Sequence, residues 1–277
     1  MAREGVDKRS MEDRVDTHQL VKGFLERGYT IAPNIVSDDE VKALNEHFET
    51  MHREQVPGRY EHPPVGEEHD DVLAVYPRVM NPHRFSELAR AYMVDPRIAA
   101  ILRAIFGEEA LGVQTMMYFK PPGSRGQKMH QDQFYLQVTP GTCVAVWIAL
   151  DHVDQKNGGL IVVPHTDTLP IDCRNVGKPG SYDPDGEPIA IPAGYKGECP
   201  TLEPGDALIF HGSLIHGSGS NGTTDRWRRS FISHYVAESC STISKYYHPL
   251  VAMDGADVDR GVTVGGGPCG GYVGAAH

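Results

Sequence analysis

The second half of the chain is a series of short apolar runs separated by turn residues, and this pattern limits the folds available to it. Residues rich in Pro, Gly, Asp and Asn separate the runs, as they do between the strands of β-proteins. We predict strands over 110–120, 130–138, 142–150, 160–164, 207–211 and 227–236. A series of this kind predicts a mainly β domain with a sandwich or barrel core.

The first half is helical by pattern. Ser37 and Glu40 form a capping box ahead of a helix over 38–53, and Pro96 opens a helix over 96–106. Further helices are expected over 18–27 and 84–94, and all of them should pack on one side of the β core. A strand is expected over 29–35.

Three segments divide the chain. Residues 1–16 are densely charged and expected to be flexible, 17–250 form a single domain, and 251–277 form a glycine-rich tail. Two long connections, 54–79 and 165–200, carry little periodicity. Long connections in compact domains are often lids or binding loops.

Composition excludes several classes of function. A formal net charge of −11 argues against a nucleic-acid or anionic-membrane partner, and it weakly favours a cationic or neutral substrate. The five cysteines are scattered, with no C-x-x-C pair, which predicts reduced thiols in a cytoplasmic protein. No apolar run approaches the length that spans a bilayer, and the charged N-terminus does not resemble a signal peptide.

His130 and Asp132 are candidate metal ligands. On a strand, residues two apart point to the same face, so this pair would present an imidazole and a carboxylate side by side. His216 is the preferred third ligand, and His211 remains its alternative. Two His and one carboxylate on one face of a metal are typical of non-haem Fe(II) oxygenases. With fourteen His in the chain, each alone is weak evidence.

A basic stretch follows the third ligand. Strand alternation places Arg228 and Ser230 on one face, where a guanidinium beside a hydroxyl could bind both oxygens of a carboxylate. The alternative interpretation is an exposed edge strand that carries basic residues.

Together these features resemble the phytanoyl-CoA dioxygenase-like family of Fe(II)/2-oxoglutarate-dependent oxygenases. The similarity runs from about residue 23 to 235. It is carried by Gly28-Tyr29, Lys120-Pro121-Pro122-Gly123-Ser124, His130-Gln131-Asp132-Gln133, Trp147-Ile148-Ala149-Leu150-Asp151, Asn157-Gly158-Gly159-Leu160, Pro204-Gly205-Asp206 and His216-Gly217-Ser218-Gly219-Ser220-Asn221. The resemblance implies a double-stranded β-helix, or jelly-roll, core with the N-terminal helices packed on one sheet.

The resemblance also implies roles for particular residues. His130, Asp132 and His216 would bind iron, which would use 2-oxoglutarate and O2 as co-substrates and release succinate and CO2. Arg228 would bind the distal carboxylate of 2-oxoglutarate. The further co-substrate contacts would be Ser230, Ser218 and Gln127.

Two positions bear on how far the resemblance extends. The family commonly has P-G-S-H where this chain has Pro164-His165-Thr166-Asp167, which affects the pocket wall beside the metal. Related halogenases replace the ligand carboxylate with a small residue, and this chain keeps Asp132. The sequence therefore favours oxygenation.

We expect the substrate to be a small polar metabolite or a natural-product intermediate that is hydroxylated at a C–H bond. Candidate substrate contacts are Gln133, Tyr135, Tyr118 and Trp147. Two other functions remain open: a zinc-dependent hydrolase or isomerase on a similar barrel, and a non-catalytic binding protein. The sequence does not decide between a monomer and a homodimer.

Overall fold

A computed structural model describes residues 16–173, 189–264 and 269. Capping residues set the longer helices: Ser37 forms the predicted capping box, and the Asp95 side chain accepts a hydrogen bond from the Arg97 amide. The helices are α1 (Thr17–Arg27), α2 (Asp38–Glu54), α3 (Val72–Val75), α4 (Glu87–Met93), α5 (Pro96–Phe106) and α6 (Asp132–Leu136), with 3₁₀ turns at Pro82–Arg84 and Lys245–Tyr247.

The strands form three sheets. They are β1 (Tyr29–Ala32), β2 (Val79–Met80), β3 (Ala110–Tyr118), β4 (Gln127–His130), β5 (Val144–Ala149), β6 (Leu160–Val162), β7 (Ala207–His211), β8 (His216–Ser218), β9 (Ser230–Ala237), β10 (Thr242–Ile243), β11 (Leu250–Ala252), β12 (Asp257–Val258) and β13 (Gly261–Val262). The major sheet has the order β1-β7-β5-β9-β3-β11-β12, with β2 also paired to β3. The minor sheet has the order β4-β8-β6, and β10 pairs with β13.

Side-chain alternation on β5 explains how the layers pack. Val144, Val146 and Ile148 point to the helical side, in a core shared with α1, α2 and α5. Ala145 and Trp147 point the other way, into a second core that includes residues of the minor sheet. Both faces of the major sheet are therefore buried, which is why its central strands are apolar throughout. The protein is mainly β, with helices covering one sheet.

Several predicted elements are confirmed and one is wrong. Helix α5 matches the predicted range 96–106, and β7 matches 207–211. The predicted strand over 130–138 is wrong, because the chain leaves β4 after His130 and forms the short helix α6. The backbone amide of Gln133 donates to Gly212 O, a tertiary contact that local periodicity does not reveal. The strand predicted over 227–236 begins three residues later, at Ser230.

The ends of the chain are only partly described. Of the segment 1–16 predicted to be flexible, 1–15 lie outside the described residues, and so does most of the glycine-rich stretch after 264. Strands β11 and β12 belong to the major sheet, so residues on both sides of the predicted boundary at 250/251 share it. The division into segments stays a prediction. No described helix combines the length and apolar character needed to cross a membrane.

The prediction that the cysteines are reduced thiols is wrong for one pair. Cys173 and Cys269 form a disulfide with a Cα–Cα distance of 5.4 Å, across 96 residues of sequence. Cysteine spacing could not indicate this, because the pairing depends on where the tail lies in three dimensions. Cys143, Cys199 and Cys240 are free. The cytoplasmic location inferred from reduced thiols loses that support.

Phe48 joins the helical layer to the major sheet. Its ring is fully buried on α2 and lies 5.7 Å, centroid to centroid, from Phe231 of β9. Phe48→Ala should lower the free energy of unfolding by about 3–5 kcal/mol, because it removes a large apolar contact and leaves a cavity. Urea denaturation measures this. Leu25→Ala is the matched control: Leu25 is 70% exposed on α1, so the change should be within about 0.5 kcal/mol. Equal losses of unfolding free energy in the two variants would contradict the packing of Phe48 between α2 and β9.

Candidate metal centre

Strand pairing brings together two imidazoles that are 86 positions apart in the numbering. Strand β4 pairs with β8 in an antiparallel register that places His130 opposite His216. Their ring centroids are 4.2 Å apart, and both side chains are buried. Directly opposite residues on one face of an antiparallel pair are the closest neighbours that a sheet offers. The register of one strand pair therefore determines this part of the site.

Asp132 completes the group from a helix and not from the predicted strand. It is the first residue of α6, and its Oδ1 lies 3.5 Å from Nε2 of His130 and 3.5 Å from Nε2 of His216. The three possible ligand atoms lie within 4.8 Å of one another. Within the described residues this cluster does not include His211, whose Nδ1 accepts a hydrogen bond from the Ser213 amide.

Backbone carbonyls orient both imidazoles. The Nδ1 of His130 lies 2.8 Å from Lys128 O, and the Nδ1 of His216 lies 2.9 Å from Leu214 O. A carbonyl oxygen only accepts, so the proton is on Nδ1 in each ring and the Nε2 lone pair is directed at the cluster. This arrangement is typical of metal-binding histidines.

Burial and neighbouring charge prepare the cluster for a cation. Burial lowers the pKa of His216 to about 4, against the opposing effect of Asp132, so its imidazole is neutral at physiological pH. Burial would raise the pKa of Asp132, but the surrounding side chains of His216, His234 and His130 outweigh it and hold that pKa well below its usual range. Two imidazoles and one carboxylate fit a divalent transition metal.

His234 is a contact that the sequence interpretation missed. It lies on β9, is 2% exposed, and its Nε2 is 3.1 Å from Asp132 Oδ2. Because a carboxylate accepts, His234 donates and holds Oδ2, which leaves Oδ1 directed at the two ring nitrogens. The sequence offers only one indication, a lone His in an apolar strand.

A small cavity of about 20 Å³ adjoins the cluster, enough for one small occupant. Trp147, Tyr118 and Arg228 line it together with the three candidate ligands. The Arg228 guanidinium is almost fully buried and lies 5.4 Å from the centroid of the Trp147 ring. Its Nη1 donates to Ser230 Oγ at 3.1 Å, and its Nε donates to Gly158 O at 3.2 Å.

Gly158 is required by this arrangement. Its φ is +80°, and a Cβ built there would lie 2.7 Å from Gly219 O. The Asn-Gly-Gly turn can therefore bring its carbonyl to Arg228 only with glycine at this position. Burial lowers the pKa of Arg228 to about 10, and the guanidinium remains charged at neutral pH.

Lys120 is a second buried basic residue near Arg228. Its Nζ donates to Ser218 Oγ at 2.9 Å and to Gly219 O at 2.8 Å, both uncharged acceptors. Burial, with the nearby charge of Arg228, lowers the pKa of Lys120 to about 6. The sequence contained this residue in the Lys-Pro-Pro-Gly-Ser motif but did not suggest its role.

The other predicted contacts divide into two groups. Gln127 lines the small cavity, with Nε2 3.3 Å from His130 Nε2, and Tyr118 accepts a hydrogen bond from Arg78 Nη1 at 2.6 Å. In the described structure, Gln133 and Tyr135 are outside the lining of this cavity. The side-chain amide of Gln133 instead donates from Nε2 to Val138 O at 2.7 Å. Gln133 lies on helix α6 and not on the predicted strand, which changes the direction of its side chain.

In the stretch 164–167, where the chain departs from the family pattern, the Thr166 side chain makes two hydrogen bonds to the backbone. Thr166 Oγ1 donates to Val163 O at 2.7 Å and accepts from the Ile215 amide at 2.9 Å. It thereby holds the residue that precedes His216. His165, where the family commonly has glycine, takes a φ of +66°.

Replacing His234 should weaken metal binding without removing a ligand. In His234→Leu, Asp132 loses its donor, and we expect the dissociation constant for Co(II) or Fe(II) to rise about 10- to 100-fold. His234→Gln retains an N–H near the same position and should bind metal nearly as tightly as the unmodified protein. Anaerobic calorimetry measures the affinities, and thermal denaturation checks folding. Equal affinities for a folded His234→Leu variant and the unmodified protein would contradict this role.

Comparison with known proteins agrees with this geometry. The profile of the phytanoyl-CoA dioxygenase family, PhyH, matches residues 24–230. The peroxisomal phytanoyl-CoA dioxygenase of Rattus norvegicus is 28% identical over 262 residues, which cover 85% of this chain and 72% of the rat protein.

Two solved structures show the same fold. SnoN, an epimerase from nogalamycin biosynthesis in complex with Fe³⁺ and α-ketoglutarate, is 22% identical with a TM-score of 0.64, covering 81% of this chain and 85% of that one. EctD from S. alaskensis, in its apo form, is 20% identical with a TM-score of 0.68, covering 91% and 89%. The family match confirms the resemblance drawn from the sequence, and this chain belongs to the phytanoyl-CoA dioxygenase family.

Proposed function

We propose that this protein is an Fe(II)/2-oxoglutarate-dependent oxygenase that hydroxylates a C–H bond of a small molecule. The observation that carries the proposal is the convergence of His130, Asp132 and His216 on one small cavity, which the buried Arg228 also lines. The family membership and the Fe³⁺ and α-ketoglutarate bound by SnoN support it. We also propose that the two facing sheets form the family's double-stranded β-helix.

In this proposal each residue has a defined part. His130, Asp132 and His216 hold the iron through Nε2, Oδ1 and Nε2, and His234 keeps the carboxylate in place. Ferrous iron, once bound, supplies the activation of O2 that protein side chains cannot perform. The apolar walls of Trp147 and Met116 limit access of water to the cavity.

Arg228 binds the distal carboxylate of 2-oxoglutarate, with Ser230 beside it. A guanidinium that is buried among uncharged partners favours an anion strongly, because little water competes for it. Ser218, which accepts a hydrogen bond from Lys120 Nζ, and Gln127, whose Nε2 lies 3.3 Å from His130 Nε2, are the further proposed co-substrate contacts. A small polar metabolite or natural-product intermediate is the proposed substrate.

Oxygen-dependent formation of succinate from 2-oxoglutarate tests the activity. We expect succinate with Fe(II) and none when Zn(II) replaces it, whereas a zinc hydrolase or isomerase would not need iron, O2 or 2-oxoglutarate. A panel of small molecules that stimulates succinate release identifies the substrate. His216→Ala should abolish succinate formation, since it removes a ligand. His211→Ala is the matched control and should retain activity, and the reverse order would overturn the ligand assignment.

Arg228→Met should raise the KM for 2-oxoglutarate about 10- to 100-fold, because charge-assisted hydrogen bonds to the distal carboxylate are lost. The affinity for Fe(II) should change little. Arg226→Met is the control, since Arg226 lies two residues away and pairs with Asp154 at 3.0 Å, away from the cavity. Steady-state kinetics with varied 2-oxoglutarate measure the effect. An unchanged KM in Arg228→Met would remove the guanidinium from the co-substrate site.

A further inference from the structure

A larger cleft leads to the candidate metal centre. It has a volume of about 460 Å³, within the range of small-molecule sites. Tyr118, Gln127 and Arg228 line both this cleft and the small cavity at the metal cluster, so the two spaces adjoin. We call it the entrance cleft. Its walls are the connection around 61–78 on one side and the stretch 118–128 on the other.

The wall formed by the 61–78 connection is largely apolar. Val65, Leu73, Ala74 and Tyr76 line it, and Phe119 lines the opposite side. Val65 is 39% exposed, a solvent-facing apolar side chain at the edge of a concave surface. A ligand that buries such side chains gains about 25 cal/mol per Å² of apolar surface removed from water. These walls favour a ligand with an apolar body.

The charged lining has the opposite sign to the protein as a whole. The chain carries a net charge of −11, yet the basic residues of the cleft outnumber the acidic ones. The basic residues are Arg78, Lys120, Arg125, Lys128 and Arg228, and the acidic residues are Glu61 and Asp71. An acidic protein with a locally basic cleft attracts anions to that cleft and repels them elsewhere. The preference for cationic or neutral substrates that net charge suggests does not apply locally.

Three of the five basic residues of the cleft already have a partner or a proposed role. Arg78 forms an ion pair with Glu61, with Nε 2.7 Å from Oε2, and Arg228 and Lys120 lie at the proposed co-substrate site. The outer cations are Arg125 and Lys128, both exposed on the stretch that leads into the first candidate ligand. Neither belongs to the candidate ligand group, and neither lines the small cavity beside it.

The ion pair between Arg125 and Asp71 can give way to an ion pair between Arg125 and a ligand at little cost in stability. Arg125 Nη1 is 3.0 Å from Asp71 Oδ2, and its side chain is 70% exposed. Exposed ion pairs of this kind contribute little to stability, since solvent and salt screen them. An incoming carboxylate could therefore take over the guanidinium without a large loss to the fold.

We propose that the entrance cleft binds the primary substrate as an organic anion with an apolar body. The anionic group lies at the mouth against Arg125 and Lys128, and the apolar part extends along Val65, Leu73 and Phe119 towards the metal centre. This inference rests on the proposed function, because it takes the cleft as the route to the iron. Of the two proposed substrate classes it favours a natural-product intermediate, and it adds that this molecule carries a negative charge and an apolar body.

Three probes with one carbon skeleton and different charges test it: 4-phenylbutyrate, 4-phenylbutanol and 4-phenylbutylamine. Binding is measured by calorimetry under anaerobic conditions on the protein loaded with Fe(II) and saturated with 2-oxoglutarate. We expect the acid to bind about tenfold more tightly than the alcohol, and the amine to bind most weakly. Added salt should weaken binding of the acid and leave the alcohol unaffected.

Charge reversal identifies the cations responsible. In the double variant Arg125→Glu, Lys128→Glu the order of affinities should invert. The amine should bind about tenfold more tightly than it does to the unmodified protein, and the acid about tenfold more weakly. Arg103→Glu is the matched control, because Arg103 is 57% exposed and pairs with Glu109 at 2.6 Å on another surface. It should leave the order unchanged. Because the alcohol is uncharged, a change in its affinity would indicate a general change in the shape of the cleft.

The outcomes separate the two proposals. Failure of 2-oxoglutarate to bind the Fe(II)-loaded protein, measured first, counts against the proposed function. If it binds, the inference about the cleft is overturned by any of three results: no probe binds, the alcohol or amine matches the acid, or charge reversal leaves the order unchanged.

Discussion

The pairing of β4 with β8 is the interaction on which the candidate centre depends. One register places His130 opposite His216, and a shift by one residue would turn either imidazole to the other face of the sheet. The same pairing brings Ser218 opposite Gln127, so both the metal cluster and the entrance to it come from one short ladder. Strand β6 supports this ladder through Val162, which pairs with His216 from the other side. The minor sheet is small, but strands on both sides, β4 and β6, hold its central strand β8 in place.

Burying basic side chains at the site costs free energy, and the rest of the fold offsets that cost. Arg228 is a buried cation and Lys120 a buried amine with a pKa lowered to about 6, and their hydrogen-bond partners are uncharged. This arrangement is unfavourable for positive charge until an anion arrives. The surrounding architecture provides the compensation: both faces of the major sheet are covered, one by helices and one by the minor sheet. A rigid apolar frame therefore holds polar groups in a geometry that suits a metal and an anionic co-substrate.

Local patterns predicted much of this frame. Capping residues and periodicity indicated α2 and α5 nearly to the residue, and the apolar run over 142–150 indicated β5. The pattern was misleading where a tertiary contact overrides it. Residues 130–138 are predicted as a strand, yet Asp132–Leu136 form helix α6, where Gln133 donates from its backbone amide to Gly212 O and from its side chain to Val138 O. The disulfide between Cys173 and Cys269 is equally invisible in sequence, since cysteine spacing says nothing about where a tail lies.

The amino-acid sequence by itself determined the chemistry available: two imidazoles and a carboxylate in family motifs, an arginine beside a serine, and enough strand pattern for a β core. Only the tertiary structure decided how these groups are arranged. It directs Nε2 of both histidines inward through Lys128 O and Leu214 O, adds His234 behind Asp132, and collects basic residues in one cleft of an acidic protein. The physical reason is that ligand type is a property of single residues, whereas orientation, burial and local charge depend on neighbours that are distant in sequence.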